Sequence, residues 1–325
     1  MIGTHTSGAA STKLTGRGTR ATDTCGAVSW NTRAGTSVGA RWRRRSVVFT
    51  ALVLVSCVAS LVSARQSPRR IVSLVPALTE MLFAIGAGPQ VVAVSSYDAD
   101  PPEVRALPRV GALLDPDVER ILSLRPDLVI TYASQADLQA QLLRATIPVF
   151  DYRHGGLADI TGTMRALGAR TGHVEEAEAA ARAIEARLAA IRDRTAGGRR
   201  PRTLLVFGRE RGSLRNIYAS GGRGFLHDML EAAGGANVFA DIDRESVQAT
   251  TELILARAPD AIIEVRSADV LTDAEAASEA EAWSALSSVP AVRQRRVEVL
   301  TGRGLTVPGP RVAEVVERMS RALHP

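Results

Sequence analysis

The strongest constraint on this chain is a segment that occurs twice, 133 residues apart. Glu119-Arg120-Ile121-Leu122 leads to Pro126-Asp127-Leu128-Val129-Ile130, and Glu252-Leu253-Ile254-Leu255 leads to Pro259-Asp260-Ala261-Ile262-Ile263. The copies coincide at Glu, Ile, Leu, Pro, Asp and the final Ile. Each reads as a short amphipathic helix ended by proline and followed at once by a buried strand, the αβ step of a parallel sheet. A solenoid would repeat every 20 to 50 residues or so, far below this period. The spacing therefore predicts two α/β lobes of similar build with a cleft between them, and 325 residues leave room for both.

Charge is unevenly placed along the chain. Residues 1–64 carry eight basic side chains against the single acid Asp23, so the remainder holds 32 basic and 33 acidic groups of the totals of 40 and 34. A folded part with a net charge of −1 has no excess of positive charge to bind phosphate backbones, which excludes nucleic acid as a partner. The basic run Arg41-Trp42-Arg43-Arg44-Arg45 precedes an uncharged, largely apolar stretch from Ser46 to Ala64. Together, residues 41–64 read as an export signal. Residues 1–40, rich in Gly, Ser and Thr, read either as a disordered extension or as sequence upstream of the true start. Three outcomes of export stay open: cleavage after Val62-Ser63-Ala64, lipidation at Cys57 within the lipobox-like Leu54-Val55-Ser56-Cys57, or an uncleaved anchor. All three place the body outside the cytoplasm, in the periplasm or on the extracytoplasmic face of the membrane. Beyond Cys57 there is no cysteine, so neither a disulfide within the lobes nor a catalytic thiol is available there.

Strands are expected at Arg70–Val75, Val91–Val94, Leu128–Tyr132 and Val149–Tyr152, with helices at Ala77–Ile85 and Ala136–Ala145, giving a first lobe over 69–160. From Val174 to Arg194 the apolar positions Ala177, Ala181, Ile184, Leu188 and Ile191 step by four and three with no Gly or Pro between them. This marks a continuous helix within a linking segment over 161–198. The second lobe, 199–325, opens with strand Arg202–Phe207, followed by a long loop from Gly208 to Gly224. Helix Phe225–Ala233, the second repeat unit, an acidic helix from Asp273, strand Val297–Leu300 and a final helix Pro310–Leu323 complete it.

Catalytic signatures are missing: there is no HExxH, GxSxG, Walker loop or GxGxxG after a strand. The histidines show no metal-ligand spacing, and neither a metal nor a cofactor is expected. His154 is a candidate for ligand contact because it follows a strand, and open α/β sheets bind ligands at strand carboxyl ends. By the same rule the loop with Arg209, Arg211 and Tyr218 could offer guanidinium groups to an anionic ligand.

The runs Arg70-Ile71-Val72-Ser73-Leu74-Val75-Pro76-Ala77-Leu78-Thr79-Glu80, Val94-Ser95-Ser96-Tyr97 with Pro101-Pro102, and Glu119 through Ile130 resemble the periplasmic binding proteins of cobalamin and iron-siderophore ABC importers, most of all the cobalamin branch. The resemblance spans about residues 69–325. It implies two Rossmann-like lobes with parallel sheets, joined by a single long rigid helix, and a non-enzymatic protein that holds a corrinoid or ferric chelate in its cleft. Partners implied are the small-molecule ligand and an ABC permease dimer in the inner membrane, with the binding protein itself a monomer. In that family a glutamate on each lobe docks onto permease arginines, and Glu119 and Glu252 fall on those positions. Tyr97 matches a cleft aromatic, and Tyr132 stands where the cobalamin branch has tryptophan. The chain departs from the pattern at Leu113 and Val247, where that branch has aromatic residues. Ala112, after Val110-Gly111, stands where haem binders carry an axial tyrosine, so the resemblance implies no axial ligand for haem. Ferric siderophore is the alternative ligand, and ligand sensing without transport the alternative role.

Overall fold

The computed structural model describes residues 67–267 and 271–325. The export signal at 41–64, residues 1–40, the cleavage site at Ala64 and Cys57 lie outside the described residues. No described helix is long and apolar enough to cross a membrane.

Four parallel strands build the first sheet: β1 (Ile71–Ser73), β2 (Val91–Val94), β3 (Leu128–Tyr132) and β4 (Val149–Tyr152), in the order β2-β1-β3-β4. Their period of two sorts the side chains. Ile71, Leu128 and Ile130 face one apolar cluster, while Val72, Leu74 and Val129 face another on the opposite side. Covering both faces is what a parallel sheet requires. Helices α1 (Pro76–Ala84) and α4 (Leu157–Thr171) cover the first face. Helices α2 (Val118–Ser123) and α3 (Ala136–Arg144) cover the second.

After α4, Gly172 takes the left-handed conformation (φ 85°) and ends the helix. The chain then enters α5 (Val174–Thr195), an unbroken helix of 22 residues, about 33 Å long. Its buried residues are Ala177, Ala181, Ile184, Leu188 and Ile191, the stripe read from the sequence. Helix α5 packs along α4 and then along α10 (Val312–Leu323). Contact with α4 is close because residue 168 is glycine: a Cβ there would stand 2.3 Å from that of Ala177. The boundary expected at residue 160 falls inside α4. Regular structure is interrupted earlier, over residues 153–156, so the connection between sheets is a helical hairpin whose second arm is the long helix.

The second sheet corrects one expectation. Strands β5 (Arg202–Gly208), β6 (Ile217–Ser220), β8 (Ser246–Ala249), β9 (Ala261–Arg266) and β10 (Val297–Thr301) run in the order β10-β9-β5-β6-β8, and β7 (Ala236–Asn237) pairs with β5. Only β10, β9, β5 and β7 are parallel; β6 is antiparallel to both β5 and β8. The sheet is mixed because the segment expected as a long loop folds back on β5, turning at Gly212 (φ 62°) and Asn216 (φ 50°). Antiparallel neighbours need only such a short connection, whereas parallel ones need a crossover.

The internal repeat holds in three dimensions down to single hydrogen bonds. Asp117 caps α2 by accepting from the Arg120 amide at 2.9 Å, and Thr250 caps α7 (Thr251–Arg257) by accepting from the Leu253 amide at 3.2 Å. Both units leave the helix through a left-handed residue, Arg125 (φ 46°) and Ala258 (φ 44°). The aspartates then tie the new strand to its neighbour. Asp127 accepts from the Arg69 and Arg70 amides, each at 2.8 Å, and Asp260 accepts from the Arg202 amide at 3.2 Å.

Candidate functional site

The shared cap geometry puts Glu119 and Glu252 at the second position of equivalent helices, both exposed. One turn away the pattern separates inside from outside. Ile121 and Ile254 are fully buried, while Leu122 and Leu255 are 37% and 40% exposed. Each repeat unit thus presents an acid and a leucine outward from matching places. The Glu252 carboxyl is held below its ordinary pKa by a backbone amide and then by the Thr250 and Thr251 hydroxyls.

Two aromatic side chains read from the sequence as ligand contacts meet in one hollow of about 530 Å³ beside the first sheet. Tyr97 and Tyr132 line it with Leu74, Pro76, Leu113 and Leu114, and Tyr97 is 77% exposed. The Ser95 hydroxyl accepts from the Tyr97 amide at 3.1 Å, and the Arg109 guanidinium pins the loop by donating to the Ser95 and Asp98 carbonyls at 2.9 and 2.8 Å. At the carboxyl end of β3, the Tyr132 amide donates to the Gln135 side chain at 3.0 Å, and Gln135 donates onward to the Leu113 carbonyl at 3.1 Å. Buried Gln135 therefore joins the two walls of the hollow. Sequence reading missed it, because a glutamine after a strand carries no signal of its own.

The other expected contacts are placed elsewhere. His154 lies 3.3 Å from the Tyr152 hydroxyl and edge-on to Phe225 of the second lobe, with ring centroids 5.6 Å apart. It belongs to an aromatic row, Tyr132, Tyr152, His154 and Phe225, that starts in the wall of the hollow and leaves it to bridge the lobes. Burial pushes the Tyr152 hydroxyl up to about 12, so it stays protonated and able to donate. Arg209 is a correction: its side chain has 0% exposure and bonds inward to Glu264 and to the carbonyls of Glu210, Ser213 and Glu279. A guanidinium at a strand's carboxyl end can turn into its own lobe as readily as into the cleft, and here two buried glutamates draw it in. Arg211 is exposed in the turn, and Tyr218 lies on β6 against Phe207. Neither lines the hollow of Tyr97 and Tyr132. Val247 is buried in the outer core of the second lobe.

A smaller hollow, of about 250 Å³, lies between the lobes. The first lobe contributes Pro76, Glu80, Tyr97 and Asp100, and the second contributes Ser267, Arg303, Gly304 and Arg311. Arg311 crosses the gap and grips Glu80 with two hydrogen bonds, 3.0 and 2.7 Å, and reaches Asp100 at 3.3 Å. Burial raises the Glu80 carboxyl above its ordinary pKa, and its bonds to Arg311 oppose the shift. Gly304 makes the grip possible, since a Cβ there would meet the Arg311 guanidinium at 2.2 Å.

Beside this clasp, Asp98 is only 4% exposed, and among the described residues neither of its carboxylate oxygens has a partner in good hydrogen-bond geometry, Thr79 and the Ser95 backbone being its nearest polar neighbours. Burial raises its pKa to about 6; Thr79, Ser95 and Arg109 offset part of the shift, and Glu80 adds to it. An unfolded aspartate titrates near 3.9, so the fold disfavours the charged form. The resulting cost is absent below about pH 4, grows as pH rises, and is complete above about pH 6. Asp98→Asn should therefore raise stability at pH 7.5 by up to about 3 kcal/mol and add little at pH 4. Thermal unfolding at both pH values checks this, and an equal gain at the two would refute the burial argument. Among the described residues, no three His, Cys, Asp or Glu side chains form a metal-ligating cluster.

Comparison with known proteins accounts for this architecture. Residues 71–303 match the family model described as periplasmic binding protein. The chain is 30% identical over 269 residues to YvrC of Bacillus subtilis, an uncharacterized ABC transporter substrate-binding lipoprotein, covering 81% of this chain and 82% of the relative. It is 33% identical over 225 residues to the vitamin B12-binding protein of Salmonella typhimurium, covering 69% of this chain and 80% of the relative. Its fold superposes on the periplasmic haem-binding protein RhuT of Roseiflexus sp. RS-1 with a TM-score of 0.65 at 28% identity, covering 79% of this chain and 98% of that one. Matched across both lobes, the chain belongs to the periplasmic binding protein family, whose members are non-enzymatic substrate-binding components of ABC importers.

Proposed function

We propose that the protein captures a cobalamin-like corrinoid in the cleft and delivers it, through Glu119 and Glu252, to the two-subunit permease of an ABC importer. The observation that carries the ligand reading is the pair Tyr97 and Tyr132, two flat apolar faces lining one open hollow. A large planar ligand buries such faces at low side-chain ordering cost, since each has only two rotatable bonds. The vitamin B12-binding relative supports the same reading. The protein works outside the cytoplasm, as a monomer, either free in the periplasm or held by a lipid on Cys57 as in the lipoprotein relative.

Titration of the purified protein with cyanocobalamin and with ferric hydroxamate and catecholate complexes tests the proposal. Binding of the ferric complexes with none of cyanocobalamin would replace the corrinoid with a siderophore. That second reading has an observation behind it: Leu113, in the wall of the hollow, departs from the aromatic pattern of the cobalamin branch. Haem is disfavoured despite the haem-binding neighbour, because Ala112, also in that wall, supplies no axial oxygen. Tyr97→Ala and Tyr132→Ala should each weaken ligand binding by roughly 1 to 3 kcal/mol. Unchanged affinity in both variants would move the ligand out of this hollow.

A further inference from the structure

The hollow between the lobes holds a cation that no described residue engages. Of its two arginines, Arg311 is engaged by Glu80 and Asp100. Arg303 is exposed and makes no ion pair or hydrogen bond among the described residues. It is nevertheless placed with care. It follows β10 in the run Gly302-Arg303-Gly304, and both glycines have positive φ, 136° and 76°, a backbone that other residues adopt only under strain. The turn sets Arg303 at the carboxyl end of a strand, where open α/β sheets receive ligands. Across the hollow stands Tyr97, the most exposed aromatic of the cleft.

We infer that Arg303 is a specificity-determining contact that pairs with an anionic group, a phosphate or carboxylate, at the edge of a ligand whose flat body lies on Tyr97. The inference rests on the reading above that the cleft takes such a ligand, and it adds the ligand's charge. A guanidinium offers parallel donors that match either oxyanion, and one that no described carboxylate engages gives up only water on pairing. Both acids in the same hollow are bonded to Arg311, which offsets one of their two charges; the other weakens the hollow's pull on an anion but makes no hydrogen bond to Arg303. A neutral or cationic ligand would gain nothing from Arg303.

The full chain carrying Arg303→Ala, Arg303→Glu or Arg303→Lys, beside wild type and Tyr97→Ala, separates the possibilities in equilibrium titrations at low and high salt. The probes are cyanocobalamin, which bears a phosphodiester; dicyanocobinamide, which lacks it; haemin, which bears two carboxylates; and cationic ferrioxamine B. For an anion-bearing probe that wild type binds, Arg303→Ala should weaken binding by roughly tenfold and flatten its salt dependence. Arg303→Glu should weaken it further, Arg303→Lys should keep most of it, and dicyanocobinamide should not distinguish wild type from Arg303→Ala. Cyanocobalamin and haemin arms tell phosphate from carboxylate. A probe weakened by Tyr97→Ala but bound alike by wild type and Arg303→Glu would leave the cleft reading intact and reduce Arg303 to a solvated surface charge. Wild type that binds ferrioxamine B alone would also overturn the inference, and wild type that binds none of the four would overturn it together with the proposed ligand class.

Discussion

Replacing Glu264 with alanine should destabilise the protein by about 3 to 5 kcal/mol, the typical cost of stranding a buried charge. Glu264, 1% exposed on β9, accepts from Arg209 at 2.9 Å, from Arg266 at 2.6 Å and from the Trp283 indole at 3.0 Å. Glu279 closes the group by pairing with both arginines at 2.9 Å. Two buried cations and two buried anions balance; with Glu264 gone, one guanidinium charge and the indole N–H of a fully buried tryptophan lose their partner. Glu264→Gln should cost less, because an acceptor oxygen remains for the indole. Urea unfolding measures both, and a loss below about 1 kcal/mol for Glu264→Ala would mean that water enters the lobe to solvate the arginines.

Charge reversal on the two repeat helices should abolish most transport while sparing the protein itself. Glu119→Arg and Glu252→Arg each put a cation where the proposed permease subunits present arginines, and like charges juxtaposed at an interface cost several kcal/mol. Each single variant should slow uptake with the protein's own permease by on the order of tenfold or more, and the double variant further, since each lobe faces its own subunit. Ligand affinity should not change, because neither helix lines the cleft hollows. The fold should survive as well. An arginine at a helix's second position opposes the dipole by only about 0.3 to 1 kcal/mol, and the Asp117 and Thr250 caps are left in place. Normal uptake by folded, ligand-competent variants would make these glutamates simple helix-terminal acids.

Where structure depends on near neighbours along the chain, the sequence is read well. Strands Val91–Val94, Leu128–Tyr132 and Val149–Tyr152 appear with the expected bounds, and α5 buries the five residues that its period of four and three picks out. The helix Leu157–Thr171 has no counterpart in the sequence reading beyond the linking segment assigned to 161–198, because Gly162 and Gly168 interrupt its pattern. Strand β6 was missed since its four residues sit among turn formers that read as loop. Of the candidate ligand contacts, Tyr97 and Tyr132 come together, while His154, Arg209, Arg211 and Tyr218 do not join them in that hollow.

What the sequence determined by itself is therefore the repeated αβ unit: its short helix, its proline stop, its buried strand and the acid that opens each copy. Those features depend on neighbours within about one helical turn, which periodicity and capping describe completely. Only the tertiary structure decided which charges are spent and which are left over. Arg209 and Arg303 both follow strands and look alike in sequence, yet one is sealed against Glu264 and the other opens on the cleft. The clasp from Arg311 to Glu80 joins residues 231 positions apart. A charged side chain's role is set by whether an opposite charge meets it inside a water-poor environment, and that meeting is a property of the folded chain, not of its local order.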